Sequence, residues 1–375
     1  MSKYYLSIKA FRFIWSWAMI IFMVACSTEN EPMTDTDNFD RQVMLVNWAD
    51  NIIIPGYENY VGKVTDMVNA KNVFLEDRST ENFDGLKNAW LEAYIAWQSV
   101  SMFEIGKAEE LSIRDYTNVY PTDNAGIEDN VNSESYDLNL PSLRDQQGFP
   151  ALDYLLYGSA ENSSMILARF EAEENLRNYL NDLITRLSDL STAVLQDWEG
   201  GYRDEFINND GSTASSSVNK LVNDYLFYYE KALRAGKIGI PAGVFSNTPL
   251  SNRVEAFYKQ DVSKTLFMTS LNASIDFFNG RYFNGNGQGE SLKSYLDFLN
   301  SVTDGSNLSD LINDQFTSTK VQAESLGEDF YAEVENNNDN MLQTYDELQT
   351  NTILLKVDMF QALNIQVDYV DADGD

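Results

Sequence analysis

Prolines are absent from two long stretches of this chain, between Pro150 and Pro241 and after Pro249. Because proline interrupts the interior of an α-helix, both stretches can hold long helices. In the first stretch, apolar residues recur at alternating steps of four and three, which places them on one helix face. These residues are Leu176, Leu180, Leu183, Leu187, Leu190 and Val194. The spacing is that of a seam between packed helices, so it predicts a helical bundle.

A second apolar stripe and several shorter helical patterns account for most of the remaining chain. The stripe runs through Tyr345, Leu348, Leu355, Met359 and Leu363. Helices are also predicted over residues 40–70, with a kink near Pro55, and over 81–103, 218–235, 251–278, 291–302 and 308–326. No segment shows the sustained alternation of apolar and polar residues that is typical of a strand. We therefore predict an all-α fold.

The domain boundary is predicted from composition. Residues 201–217 combine glycine, an Asn-Asn-Asp-Gly sequence and a Ser/Thr run, all of which interrupt the helical pattern. We predict an N-terminal bundle over 40–200 and a C-terminal bundle over 218–375, each resembling a four-helix bundle. A Gly-Lys pair begins at Gly106 and again at Gly236, which suggests a duplication, although two such pairs also arise by chance.

The first residues have the pattern of a bacterial export signal. Basic side chains come first, at Lys3, Lys9 and Arg12. The apolar run that follows, 13–25, is shorter than the about 20 residues that a spanning helix needs, and the only cysteine, Cys26, comes next. We predict a signal peptide over 1–25, an acylated Cys26 and a flexible tether over 26–39. The alternative is a plain anchor helix or a core helix.

The charge of the chain narrows the range of partners. Its 58 acidic and 26 basic residues give a formal net charge of −32, which becomes −35 without residues 1–25, since these hold three basic and no acidic side chains. Binding to nucleic acid depends on an excess of Lys and Arg at the phosphates, so this class of partner is excluded. The acidic surface suits cations or cationic partners, or it simply keeps the protein soluble.

The absence of histidine excludes several kinds of catalytic and metal site. A Ser-His-Asp triad, a Cys-His pair and every histidine-ligated zinc or haem site need that side chain. Oxygen ligands from Asp, Glu, Tyr and the backbone are available, and these suit hard cations such as calcium or ferric iron. Any metal, whether iron or calcium, is therefore expected to bind through carboxylates.

The segment QGFPALDYLLYG contains the first candidate for a binding site. Gly148 and Pro150 predict an abrupt helix start, and Asp153 follows one turn later among apolar residues. Asp153 could accept a ligand or a metal. The alternative is that its carboxylate only stabilises the helix start, where the helix dipole favours negative charge.

A second candidate site follows an aromatic helix face. Trp90, Tyr94 and Trp97 are spaced to share one face, and such a stripe is usually part of the core. Trp97 could also form the wall of a pocket. Glu104 and Asp123 come after this helix and could face a cleft as oxygen ligands, or lie in solvated loops.

Two further motifs have stronger structural explanations. The acidic tail from Asp368 to Asp375 has the spacing of the start of a calcium loop, but it lacks the later bidentate acidic residue that such a loop requires. A frayed terminus is the alternative. Ser217 and Lys220 match the S-x-x-K pattern of a Ser-Lys nucleophile, although Ser217 also stands where a helix should start and could cap it.

Several segments together resemble the imelysin-like lipoproteins, which include iron-regulated proteins and members labelled as metallopeptidases. QGFPALDYLLYG is similar to the family signature G-x-H-x-x-E. Further similarity lies in NWADNIIIPGY, FEIGKAE, NVYPTD, KIGIPAGVFSNTPLSNRVEAFY and LLKVDMFQALNIQVDYVDADGD. The resemblance implies two helical bundles, a lipoprotein precursor, a pocket near the signature and an association with iron acquisition. Pro150 stands at the family's histidine and Asp153 at its glutamate, while Gly148 carries over.

These observations lead to a functional hypothesis with two alternatives. We predict a non-catalytic outer-membrane lipoprotein, facing the periplasm or the cell surface, that binds a ligand or metal near residues 148–153. Its predicted partners are the membrane, through the lipid anchor, and an outer-membrane transporter. The binding residues are expected to be Gly148, Asp153, Trp97, Glu104 and Asp123, with Asp153 and Glu104 as the metal ligands. The alternatives are a degenerate metallopeptidase-like enzyme and a surface interaction protein without a small ligand.

Overall fold

The computed structural model describes residues 37–303 and 305–369. The predicted signal peptide, Cys26, all but the last residues of the tether, and most of the acidic tail lie outside this range. The described residues from Phe39 onward form one compact unit. None of the described helices is long and apolar enough to span a membrane.

Helices form almost all of the regular structure in the first half of the described chain. Arg41–Asn47 continues through the π-helical segment Trp48–Ile53 into Ile54–Glu76. The other helices of this half are Thr80–Gln98, Lys107–Glu110, Ile113–Thr117, Asn124–Ser133, the 3₁₀ segment Pro141–Gln146, Gly148–Asp153, the π segment Tyr154–Gly158, Ser163–Ala172, Glu174–Asp197, the π segment Trp198–Tyr202 and Arg203–Asn208.

Helices also dominate the second half. They are Ser217–Phe227, the π segment Tyr228–Gly239, Ile240–Ala242, the 3₁₀ segment Ser251–Arg253, Ser263–Asn279, Leu292–Phe298, Leu308–Glu324, Phe330–Ile353, the π segment Leu354–Met359 and Phe360–Ala362. Two short antiparallel strands, Val302–Thr303 and Ser306–Asn307, are the exception. The all-α prediction is confirmed.

The predicted apolar stripes form the core. Every residue of the stripe from Leu176 to Val194 is buried, and its helix packs against Ile54–Glu76. The second stripe is buried at Leu348, Leu355, Met359 and Leu363, and Tyr345 is partly buried. Periodic apolar positions are buried together because they share one helix face.

The prediction of one long helix over residues 251–278 is wrong in its first half. Only the stretch from Ser263 is a long helix, and residues 254–262 form irregular turns, here called the 254–262 loop. Ala256 and Gln260 have positive φ, which a helix does not allow. Contacts with distant residues, described below, hold this loop and override its local helical pattern.

Other helix ends also differ from the predictions. The helix predicted over 218–235 continues through Gly236 and Lys237 to Ala242, and the helix predicted over 81–103 ends at Gln98. Near Pro55 the chain stays helical, and the carbonyl of Asn51, which Pro55 cannot bond, accepts a hydrogen bond from the backbone N–H of Phe283 at 2.8 Å. The helix Arg203–Asn208 occupies part of the predicted linker, 201–217, and the division into two bundles stays a prediction.

Candidate functional site

The signature segment folds as a short helix, Gly148–Asp153, that continues through Tyr154–Gly158. Gly148 has a φ of +78°, in a region that side chains other than glycine rarely adopt. A Cβ at this position would lie 2.2 Å from the backbone oxygen of Thr117. Gly148 is therefore needed for the helix to start close to the backbone at Thr117.

Asp153 joins the signature helix to the 254–262 loop. Its Oδ2 accepts a hydrogen bond from the backbone N–H of Tyr258 at 2.8 Å, and its Oδ1 accepts one from Lys259 at 2.9 Å. The side chain is buried, with 2% exposed. The alternative prediction, that Asp153 stabilises its own helix start, is wrong, because both oxygens bind backbone groups 105 and 106 residues away.

The environment of Asp153 favours the protonated carboxyl. Burial raises its pKa from 3.8 to about 7, although the two backbone N–H groups and the charge of Lys259 act in the opposite direction. The folded protein therefore keeps this proton up to near-neutral pH. In the unfolded chain the same carboxyl ionises near its ordinary pKa of about 4.

This difference predicts a pH-dependent contribution to stability. Between about pH 4 and 7 the unfolded state binds fewer protons at Asp153 than the folded state, so this group lowers stability as pH rises. Relative to Asp153→Asn, the wild type should lose up to about 1.4 kcal/mol of unfolding free energy per pH unit in that window. Guanidinium unfolding at several pH values measures the slope. Asp66→Asn replaces an exposed carboxylate and should show the same dependence of unfolding free energy on pH as the wild type. Equal slopes for the wild type and both variants would contradict the prediction.

Asp153 lines a cavity of about 270 Å³, here called the small cavity. Pro150, which stands at the signature's histidine position, also lines it. The remaining lining residues are Tyr120, Pro121, Thr122, Asn124, Asn252, Val254, Ala256, Phe257 and Tyr258. The small cavity therefore lies between the signature helix and the 254–262 loop.

A second cavity of about 300 Å³, here called the large cavity because it is the larger of these two, shares Tyr120 and Pro121 with the small one. Its other lining residues are Trp97, Ser101, Arg114, Asn118, Val119, Tyr228, Ala232, Gly236, Lys237, Ile240 and Arg253. The lining is mostly apolar and aromatic with a few polar groups, as in sites for small organic ligands. The prediction that Trp97 forms part of a wall is consistent with this geometry, and the ring also packs on Tyr60 in the core.

A buried polar network beside the large cavity was not predicted. Glu255 Oε1 accepts hydrogen bonds from Gln98 at 3.0 Å and Asn118 at 2.7 Å, and its Oε2 accepts one from the ammonium of Lys237. Lys237 Nζ also donates to Gln98 Oε1 at 2.8 Å, and the Tyr94 hydroxyl donates to Asn118 at 2.6 Å. Both Lys237 and Glu255 lie in the family-like segment from Lys237 to Tyr258. That resemblance was the only signal in the sequence, since Glu255 fell within the helix predicted over 251–278.

Glu104 is placed away from Asp153. Its carboxylate accepts hydrogen bonds from the backbone N–H of Arg114 at 2.8 Å and from Arg114 Nε at 2.6 Å. Arg114 also pairs with Asp224. Burial raises the pKa of Glu104, while Arg114 lowers it. Glu104 lines a third cavity whose lining shares no residue with the small cavity, so the structure does not bring the two predicted metal ligands into one cavity.

Asp123 has a structural role. Its Oδ1 accepts a hydrogen bond from the backbone N–H of Gly126 at 3.1 Å, which caps the helix Asn124–Ser133. Its Oδ2 accepts one from Gln146 at 3.2 Å. Within residues 37–303 and 305–369, no group of three or more Asp, Glu, His or Cys side chains is arranged to hold a metal ion.

The structure describes the S-x-x-K pair and only the first residues of the acidic tail. The Ser216 hydroxyl, not Ser217, accepts the capping bond at the start of Ser217–Phe227, and Lys220 is exposed. Of the acidic tail, the backbone N–H of Asp368 donates to Asn223 at 3.1 Å, and the residues of the calcium-like spacing, Asp371 to Asp375, lie outside the described chain.

Comparison with known proteins gives consistent matches. The family model described as Imelysin, which carries a peptidase name, matches residues 53–355. An imelysin-like protein from Psychrobacter arcticum 273-4 has 17% identity and a TM-score of 0.65, covering 88% of this chain and 97% of that chain. A protein from Parabacteroides distasonis ATCC 8503, described as an iron-regulated protein A precursor, has 16% identity and a TM-score of 0.69, covering 85% and 95%. At these identities the likeness shows the fold alone. No curated protein matches.

Proposed function

This chain belongs to the imelysin family, as its motifs predicted, and from that premise we propose that it is a non-catalytic binding protein of the cell envelope. Its organic ligand would occupy the two adjoining cavities beside the signature helix. The observation that carries the proposal is that these cavities share Tyr120 and Pro121 and lie between distant parts of the chain. Such concave, mostly apolar spaces with a few polar groups suit small molecules.

The signature residues support binding rather than hydrolysis. Pro150 provides no metal ligand, and histidine is absent from the whole sequence. Asp153 uses both oxygens to hold the backbone of Tyr258 and Lys259. A general base would need access to a water molecule and a reacting group. In this arrangement Asp153 instead positions the wall of the small cavity.

The link to iron is part of the proposal. A protein with a similar fold is described as an iron-regulated protein A precursor. Because the described residues lack a cluster of carboxylates for a bare cation, iron would be bound inside an organic chelate. A lipid at Cys26 would hold the protein at the outer membrane, where a transporter could receive the ligand.

Filling the large cavity should weaken ligand binding. Ala232→Trp places an indole where Ala232 lines the cavity, so we expect at least a tenfold loss of affinity. Asp153→Asn should also weaken binding, because it disturbs the 254–262 loop. Calorimetric titration with ferric citrate and ferric dihydroxybenzoate, with native mass spectrometry for retained ligand, measures the effect. Val321→Trp is the matched control, since Val321 is 71% exposed and lines neither cavity.

The two alternatives predict different results. Unchanged affinity in Ala232→Trp, or no retained or saturable ligand in the wild type, would contradict the proposal and favour a surface interaction protein. Protein cleavage that a chelator abolishes and metal restores would favour a peptidase-like enzyme. Calcium alone should bind the wild type no more tightly than it binds Asp153→Asn, because the proposal gives Asp153 no role as a ligand of a bare cation.

A further inference from the structure

The lining of the large cavity differs in charge from the rest of the protein. The chain has 58 acidic and 26 basic residues. Yet, so far as the structure describes the chain, no Asp or Glu lines this cavity, whereas Arg114, Lys237 and Arg253 do. A ligand in the cavity is thus surrounded by cationic and neutral groups, although the protein as a whole repels anions.

Two of these three cations are already neutralised. Arg114 pairs with Glu104 and Asp224, and Lys237 pairs with Glu255. Arg253 is exposed and makes no ion pair with any residue of the described chain. The cavity therefore offers one uncompensated positive charge, and a guanidinium is suited to a planar oxyanion.

A buried hydroxyl in the cavity also lacks a partner. Tyr228 lines the large cavity with 2% of its surface exposed, and its hydroxyl has no hydrogen-bond partner within the described residues. A buried polar group without a partner destabilises a protein, so it calls for an explanation such as a bound ligand. The phenol of Tyr120 is close enough for Tyr228 to help raise its pKa, after burial and Glu255. Both phenol side chains line the large cavity.

We propose that the large cavity is a subsite for an organic acid that carries one negative charge on an apolar or aromatic body. This inference rests on the proposed function and names its ligand class. Arg253 pairs with the acid group, and Tyr228 and Tyr120 donate hydrogen bonds to it. Trp97, Val119 and Ile240 contact the apolar body. One free cation matches one negative charge, while a phosphate dianion would leave charge unpaired against an apolar wall.

The test compares two fluorescent probes that share an aromatic skeleton. Anilinonaphthalene sulfonate is an anion, and N-phenylnaphthylamine is neutral. We expect the wild type to bind the anion more tightly. Arg253→Gln should lower the affinity for the anionic probe about tenfold, as expected for loss of a charge-assisted hydrogen bond. The affinity for the neutral probe should not change. Tyr228→Phe should lower the affinity for the anionic probe by a smaller factor. Arg281→Gln, at an exposed arginine outside the cavity, is the matched control.

Competition identifies the class of anion. Benzoate should displace the anionic probe, and inorganic phosphate should not; displacement by phosphate alone overturns the organic-acid assignment. Equal affinity for both probes, or an unchanged anion affinity in Arg253→Gln, overturns the anion subsite. In that case, loss of both probes in Ala232→Trp would still support a binding cavity. If both probes stay bound in Ala232→Trp, the large cavity is not their binding site. Both the organic-acid subsite and the proposal that the ligand occupies the large cavity would then be wrong.

Discussion

Glu255→Gln is expected to lower the free energy of unfolding by about 3–5 kcal/mol, the typical cost of removing one partner of a buried ion pair. Lys237 is 3% exposed and Glu255 is 2% exposed, so the ammonium of Lys237 would stay buried without a counter-charge. Glutamine can still accept a hydrogen bond from Asn118 or Lys237, but it carries no charge. The loss would therefore come mainly from the uncompensated cation.

Urea unfolding of matched variants separates this cause from a packing defect. The double variant Lys237→Met with Glu255→Gln should be more stable than the sum of the single changes predicts, because the two residues interact directly. Glu92→Gln removes a partner of Lys63 in an exposed pair and should change stability by about 0–1 kcal/mol. If the stability changes of the two single variants simply add up in the double variant, the ion pair is not the source of the effect.

Gly148→Ala is expected to destabilise the fold by roughly 3 kcal/mol or more, from the combined cost of positive φ and a steric overlap. The added Cβ would lie 2.2 Å from a backbone oxygen of Thr117, which cannot move aside as the end of a flexible side chain can. The signature helix would have to shift, and Asp153 would shift with it. We therefore expect weaker ligand binding as well as a lower melting temperature.

Gly62→Ala is a matched control for the same chemical change. Gly62 lies within the helix Ile54–Glu76, and a Cβ there meets nothing within 4 Å. Because alanine favours a helix over glycine, this variant should gain about 0.5–1 kcal/mol. Thermal unfolding followed by circular dichroism compares the two. Similar melting temperatures for the two variants would mean that the close approach at Thr117 is not a rigid constraint.

The candidate site was predicted only in part. Gly148 and Asp153 were identified through the signature, and Trp97 through its helix face. Glu104 and Asp123 are acidic residues near that helix in sequence, yet one pairs with Arg114 and the other caps a helix. Acidity and proximity along the chain did not distinguish these roles, because the partner of each carboxylate depends on packing.

The largest error concerned the 254–262 loop, and its physical cause is clear. Its apolar pattern predicted a helix, but the backbone N–H groups of Tyr258 and Lys259 donate to Asp153 instead. Glu255 in the same loop accepts bonds from Gln98, which is 157 residues away. Such long-range bonds outweigh a local helix propensity, which is worth less than about 1 kcal/mol per residue.

By itself, the sequence determined the helical class, the buried stripes, the family and the exclusion of histidine chemistry. These properties depend on residue identity and on spacings of three and four, which the geometry of one helix converts directly into a buried face. Only the tertiary structure decided that Asp153 holds a loop, that Lys237 and Glu255 meet, and that Arg253 and Tyr228 line one cavity. Asp153 lies 105 residues from Tyr258 in the loop that it holds, and even Lys237 and Glu255, 18 residues apart, are not on one helix, so only packing brings these groups together.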